Sequence, residues 1–483
     1  MRVIYVDIDT LRPDHMGCYG YKRNTTPEID RVAEEGTMFT NYYCSDAPCL
    51  PSRAALISGM FGIHNGAVGH GGTAADMRLY GAERGFTSPH DEGNFVHVFR
   101  KAGMKTASIS AFPERHSSWW FNAGFREMYN VGDRGRESGE EVLPTALSWL
   151  DRNMMDEDWF LHVHFWDPHT PYRAPESFGN PFADEPLDTW ITPEVFAEHL
   201  KHTGPHSANE LEMFTDDEDP QYPRQPGKIL DMDGLRNLFD GYDCGIRHAD
   251  FLVGQIFAKL REAGIYEDTA IIISSDHGEN MGELGIYSEH ATADHPTCNI
   301  PMIIKWPGGM RGHVDNALHY NVDLPPTMAE MLNVKPSAHW DGASYAETIQ
   351  SGAAQGRESL VLSQCAHVCQ RSARFGDWLY VRSYHDGFHL FDDEMLFNLA
   401  EDRYEQNDVK AAHPEQCMRG AKIILDWHDA MMKNSSSQVD PLWTVMREGG
   451  PMHTLGELDA YLVRLENTGR AEGAQRLREK YKK

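Results

Sequence analysis

Apolar residues along this chain follow two alternating patterns. Continuous apolar runs, as buried parallel strands show, occupy residues 3–8, 104–111, 159–166, 269–275 and 300–306. Helical spacing separates them. One helix is expected from Thr26 as cap and Pro27 at the first position, with Gly36 past its end. Others are expected at 95–102, at 145–154 and at 234–263, the last striped by Leu235, Leu238, Tyr242, Ile246, Ala249, Leu252, Ile256 and Leu260. This alternation predicts an α/β fold with a large, mostly parallel sheet sandwiched by helices.

Two regions break the pattern. Across 173–233 the apolar period vanishes, prolines accumulate and Asp216-Asp217-Glu218-Asp219 forms an acidic run, which reads as an insertion at the strand ends and a candidate lid. Near residue 360 short strands replace long ones, at 378–382 and 388–391, followed by a charged helix over 457–482. The expected organisation is a catalytic α/β domain over 1–360 and a small α+β subdomain with an antiparallel sheet over 361–483.

Polar residues gather where the apolar runs stop. Asp7-Ile8-Asp9 ends the first strand with both carboxylates on one side, His116 and His169 follow the second and third, and Asp276-His277 follows the fourth. Open α/β sheets bind ligands at that edge. Residues 47–59 add a nucleophile: prolines flank Cys49, Ser52 begins an apolar helical run and Gly59 closes it, so the thiol stands at a helix N-terminus that favours anions and lowers a thiol pKa. Arg53 lies one turn further on, placed to clamp the nucleophile or an anion. Asp9 and Asp276, with Asp7 as a further candidate, are hard oxygen donors suited to Ca²⁺ or Mg²⁺, and His277 admits a borderline ion such as Mn²⁺. His116 or His169 can protonate a leaving alkoxide.

Composition narrows the partners. The 483 residues carry 44 basic and 73 acidic side chains, a formal charge of −29, which argues against nucleic acid and anionic membranes as partners and disfavours long polyanions. No apolar run reaches membrane-spanning length, and the first strand starts at Arg2, so no signal peptide is expected and the chain reads as cytoplasmic or as a mature fragment. Eight scattered cysteines suit a reducing compartment, and the lone Cys365/Cys369 pair does not suggest zinc.

The stretch Cys49-Leu50-Pro51-Ser52-Arg53, followed by Ala-Ala-Leu-Ile-Ser-Gly, resembles the signature of the sulfatase family within the alkaline-phosphatase superfamily. Further landmarks follow in family order: Asp9-Thr10-Leu11-Arg12-Pro13-Asp14, Asp167-Pro168-His169-Thr170-Pro171-Tyr172, Asp276-His277-Gly278-Glu279, Ile303-Ile304-Lys305-Trp306-Pro307-Gly308, and Phe397-Asn398-Leu399 before Gln406-Asn407-Asp408. The resemblance spans about residues 2–410. It implies an alkaline-phosphatase-like fold and conversion of Cys49 to Cα-formylglycine by a formylglycine-generating or maturase enzyme. One hydroxyl of the hydrated aldehyde would attack sulfur, and the other would drive release of sulfate. By the same resemblance the metal ligands are Asp9, Asp276, His277 and modified Cys49, with Ca²⁺ usual; Arg53 stabilises the hydrate, and His169 faces the substrate oxygen.

The chain departs from the family at four points. Thr10 follows Asp9 where many members have a second aspartate, His277 follows Asp276 where asparagine is usual, and His290 stands where a lysine is expected, while a Lys-x-His motif survives only as Arg115-His116. Sulfate contacts are therefore expected to be rich in histidine. The glycines of residues 62–72 suggest a mobile loop beside the pocket, and His64, His70, Arg115, Trp119 and Trp120 are candidates to bind a sugar and its carboxylate or sulfate. The expected substrate is a small sulfated carbohydrate; the alternative is a phosphonate monoester or phosphate diester of the same superfamily.

Overall fold

The structure, a computed structural model, describes residues 1–77, 88–187 and 189–481. Fifteen strands occur among them: β1 (Arg2–Ile8), β2 (Thr37–Tyr43), β3 (Asp46–Ala47), β4 (Lys105–Ile109), β5 (Glu127–Tyr129), β6 (Trp159–Phe165), β7 (Thr269–Ser274), β8 (Asn280–Met281), β9 (Tyr287–Glu289), β10 (Met302–Lys305), β11 (His313–Tyr320), β12 (Ser359–Gln364), β13 (Cys369–Phe375), β14 (Trp378–His385) and β15 (Glu394–Asn398). Eight of them form one sheet in the order β11-β2-β10-β7-β1-β6-β4-β5. Only β10 runs antiparallel to its neighbours. Along β1, Val3 and Tyr5 pack into one apolar core while Ile4, Val6 and Ile8 pack into another, so both faces of the sheet are covered. The expected α/β sandwich is present.

A second sheet, β15-β14-β13-β12-β3, is antiparallel apart from its last pair. Its edge strand β3 comes from the residues just before Cys49, so the nucleophile stretch is pinned between both sheets. That pairing had no sequence signal, because β3 is two residues long.

Several expected elements shift. The helix expected at 145 starts at Gly139, where Ser138 and Glu141 form a reciprocal capping box. Residues 388–391 form no strand: Phe388 and Leu390 have φ of 73° and 60°, outside the extended region. The expected helix over 457–482 is two helices, Leu458–Asn467 and Ala471–Tyr481, separated at Gly469 with φ 80°, and Lys482 lies outside the described residues. The 173–233 insertion contains the helix Pro193–His199, and its fully buried Glu210 accepts hydrogen bonds from Arg464, Arg470 and Tyr461 of the C-terminal helices. Within residues 62–72 a short helix spans Gly62–Asn65, and the Val68 N–H bonds to the Ala74 carbonyl at 2.7 Å. No helix among the described residues is long and apolar enough to cross a membrane.

Candidate active site

The helix Cys49–Ser58 begins at the expected thiol and ends at Gly59, whose φ of 67° is left-handed. A side chain there would also meet the Trp340 ring at 2.2 Å. Nine of the helix's ten residues are buried, so its first turn opens inside the protein. Ser52 Oγ donates to the Asp276 carbonyl at 2.6 Å and thereby ties the helix to the end of β7.

Arg53 projects from the same helix into a nest of carboxylates. Its guanidinium lies 3.0 Å from Asp7 Oδ2 and 3.1 Å from Asp9 Oδ2, and it donates to Asp276 as well. Burial favours the neutral acid in each, yet Arg53 holds Asp7 and Asp9 below the usual carboxylate range; Asp276 is pushed up to about 7. His162 Nε2 stands 3.3 Å from Asp7 and His164 Nε2 3.2 Å from Asp9, with His164 also 2.9 Å from Arg53. Neither histidine was singled out from the sequence. The available signal was their alternation as two polar residues in the otherwise apolar strand Trp159–Phe165.

Donor atoms of Asp9, Cys49, Asp276 and His277 all lie within 4.8 Å of one another. His277 Nδ1–H donates to the Gly278 carbonyl at 2.8 Å, so its Nε2 lone pair faces Cys49 Sγ at 3.0 Å and Asp276 Oδ2 at 3.2 Å. Buried Asp9 Oδ1 has no hydrogen-bond partner. An unsatisfied buried carboxylate oxygen beside a lone-pair nitrogen fits a divalent cation. Thr10, in place of a second aspartate, contributes its backbone N–H to Asp276 Oδ1 at 3.3 Å.

Three further histidines surround the thiol. His169 donates from Nδ1 to the Thr170 carbonyl and presents Nε2 3.9 Å from Cys49 Sγ. Burial and the charge of Asp9 raise the Cys49 pKa, but the neighbouring imidazoles of His116 and His290 bring it below the ordinary thiol value. His290 is held well above the usual imidazole value: burial opposes its charge, and Glu289, 2.8 Å from Nε2, outweighs it. Burial keeps His116 and His169 below that value.

The candidates for substrate binding divide. His70 lies beside His116, with ring centroids 5.2 Å apart, and so belongs to the pocket wall. Arg115 covers Trp166 and lines a cavity of about 540 Å³ with Arg136, Arg173 and insertion residues including Tyr222. Trp119 is 64 % exposed and donates to Asp76. Trp120 is core. His64 is not brought to the site: its Nδ1 bonds Asp341 at 2.8 Å and its Nε2 meets the Met431 carbonyl at 2.9 Å, because the short helix Gly62–Asn65 turns it toward the helix Pro414–Asn434.

The family model named Sulfatase matches residues 2–334. Choline-sulfatase of Rhizobium meliloti (strain 1021) is 24% identical over 482 residues, covering 88% of this chain and 87% of that protein. The structure of BT4656 in complex with its substrate D-glucosamine-2-N,6-O-disulfate superposes with a TM-score of 0.70 at 19% identity, covering 91% of this chain and 99% of that one. The phosphonate monoester hydrolase SpPMH from Silicibacter pomeroyi superposes at 0.68 and 18%, covering 90% and 96%. With a family model spanning over half its length, including the nucleophile helix and the Asp9 and Asp276-His277 strand ends, the chain belongs to the sulfatase family of sulfuric ester hydrolases.

Proposed function

We propose that this protein hydrolyses the sulfate ester of a small sulfated carbohydrate through a formylglycine derived from Cys49. The observation that carries the reading is the convergence of residue 49, Arg53, Asp9, Asp276 and His277 at one buried helix N-terminus. A divalent cation, Ca²⁺ or alternatively Mg²⁺ or Mn²⁺, would be held by Asp9, Asp276, His277 and residue 49, with Asp7 behind them, and would neutralise charge on the sulfate oxygens. Hydrated formylglycine supplies two hydroxyls, one to attack sulfur and one whose deprotonation releases sulfate.

The chain's own residues do the rest. Arg53 fixes the carboxylates and places positive charge under residue 49. His290, carrying a proton shared with Glu289, faces the sulfuryl oxygens as a charged donor, and neutral His169 lies within reach of the leaving oxygen. His70, His116 and Arg115 line the approach for the sugar, and the cavity bounded by Arg115, Arg136 and Arg173 receives the rest of it. We place the boundary of the catalytic domain near residue 360.

The alternative, a phosphonate monoester or phosphate diester hydrolase, is kept by the imidazole in the metal donor set and by the fold shared with SpPMH. Steady-state rates on an aryl sulfate and an aryl phosphonate under saturating metal separate them. Faster sulfate turnover is expected; faster phosphonate turnover overturns the sulfatase reading.

A further inference from the structure

Beyond His116 stands a second group of histidines, of which only His70 also borders the proposed approach for the sugar. His70, His367 and His453 come from three separate stretches of chain, and one ring nitrogen from each lies within 4.8 Å of the others. His70 Nδ1 is 3.0 Å from His453 Nε2, and the rings of His367 and His453 stack at 4.1 Å. The backbone brings them together. The His453 N–H donates to the Ala366 carbonyl at 3.2 Å, and Gly71 packs so closely on Met452 that a Cβ there would lie 2.6 Å from its sulfur.

Charge in the group is nearly absent. Burial, reinforced by the neighbouring imidazoles, holds His70 and His367 well below the usual value, and His453 is lowered to about 4, so all three are neutral lone-pair donors at neutral pH. The nearest carboxylate is Glu289, 3.7 Å from His367 Nε2, and it is shared with His290 and His206. His70 Nε2 is buried without a hydrogen-bond partner. Three neutral imidazoles meeting nitrogen to nitrogen form few hydrogen bonds with one another, since each such contact consumes one lone pair and one N–H.

We propose that His70, His367 and His453 form a second metal site, separate from the Asp9/Asp276/His277 centre, that takes a borderline divalent cation of the zinc class. Three neutral imidazoles are a donor set that zinc accepts with a fourth position left open, and oxygen-seeking Ca²⁺ or Mg²⁺ does not compete for it. Nitrogen ligands of a tetrahedral zinc lie roughly 3.4 Å apart, so the stacked rings of His367 and His453 would turn out of parallel to aim both lone pairs at one ion. Glu289 beside His367 supplies the outer carboxylate that orients a ligating imidazole and offsets the ion's charge.

The test uses untagged full-length protein stripped with EDTA, reloaded with Ca²⁺ and titrated with Zn²⁺. To remove the thiol and the carboxylate centre as sources of binding, the same titration is run in the Cys49→Ala/Asp276→Asn background. One Zn²⁺ per chain is expected in that background by calorimetry and elemental analysis, with a rise in Tm. Adding His367→Ala, or separately His453→Gln, should weaken this binding roughly 100-fold or more and abolish the Tm rise. The circular dichroism spectrum of each variant establishes that it is folded. No zinc bound by the folded background protein, or binding unchanged by both histidine variants, overturns the proposal.

Discussion

Arg53→Ala tests the electrostatic frame of the site. The guanidinium is 2% exposed and compensates three carboxylates, Asp7, Asp9 and Asp276, that are exposed by 3%, 0% and 4%. It also lies over the Phe112 ring at 4.7 Å. Breaking one buried ion pair by removing a partner costs about 3–5 kcal/mol. Here three acids lose one cation, but Asp276, already pushed up to about 7, takes up a proton and limits the total. The expected loss is therefore at least about 4 kcal/mol at pH 8, a large part of a typical folding stability. Its pH dependence has a defined sign. In the variant the buried acids titrate above their unfolded values, so the folded chain holds extra protons and stability falls as pH rises through that range. Urea unfolding in EDTA at pH 6, 7 and 8 measures this, and Ca²⁺ at 100 times its Kd should restore about 2.7 kcal/mol. A penalty below about 1 kcal/mol at pH 8, or one that shrinks as pH rises, refutes the reasoning.

Other perturbations follow from the same structure. Cys49→Ala should abolish ester hydrolysis in a protein that still folds, and unchanged turnover would remove residue 49 from the mechanism. Arg470→Ala takes the bidentate partner from fully buried Glu210 and should cost about 3–5 kcal/mol by urea melting, with limited proteolysis cutting first within 173–233; a wild-type cleavage pattern would disconnect the insertion from the C-terminal helices. His199 and His389 are lowered by burial to about 4 and about 3, so both are neutral in the folded chain. The unfolded chain takes protons first as pH falls below about 6.5, and stability should drop between there and pH 4 by up to roughly 3 kcal/mol for each. That slope should flatten in the His199→Gln/His389→Gln variant.

Much of the site is readable because its parts are local: a thiol between prolines at the start of an apolar helix, and acids at the ends of apolar strands, need no knowledge of tertiary contacts. What escaped depends on distant pairing. His164 gains its role only when β6 lies beside β1, and β3 is too short to show strand periodicity until β12 pairs with it. His367 and His453 carry no local pattern that places them near His70. His64 misled for the converse reason: it neighbours the nucleophile helix in sequence, but the reversal of chain at Gly62–Asn65 gives it to Asp341. At 388–391 the short apolar stretch reads as a strand, and the left-handed φ of Phe388 and Leu390 prevents it.

The most direct measurement is the mass of the proteolytic peptide containing Cys49, taken from protein whose sulfate-ester turnover has been measured in the same preparation. The proposed chemistry predicts exchange of H₂S for O at residue 49, with the modified fraction proportional to activity across preparations made with and without a formylglycine-generating enzyme. Fully active protein that retains an unmodified thiol at residue 49 would contradict it.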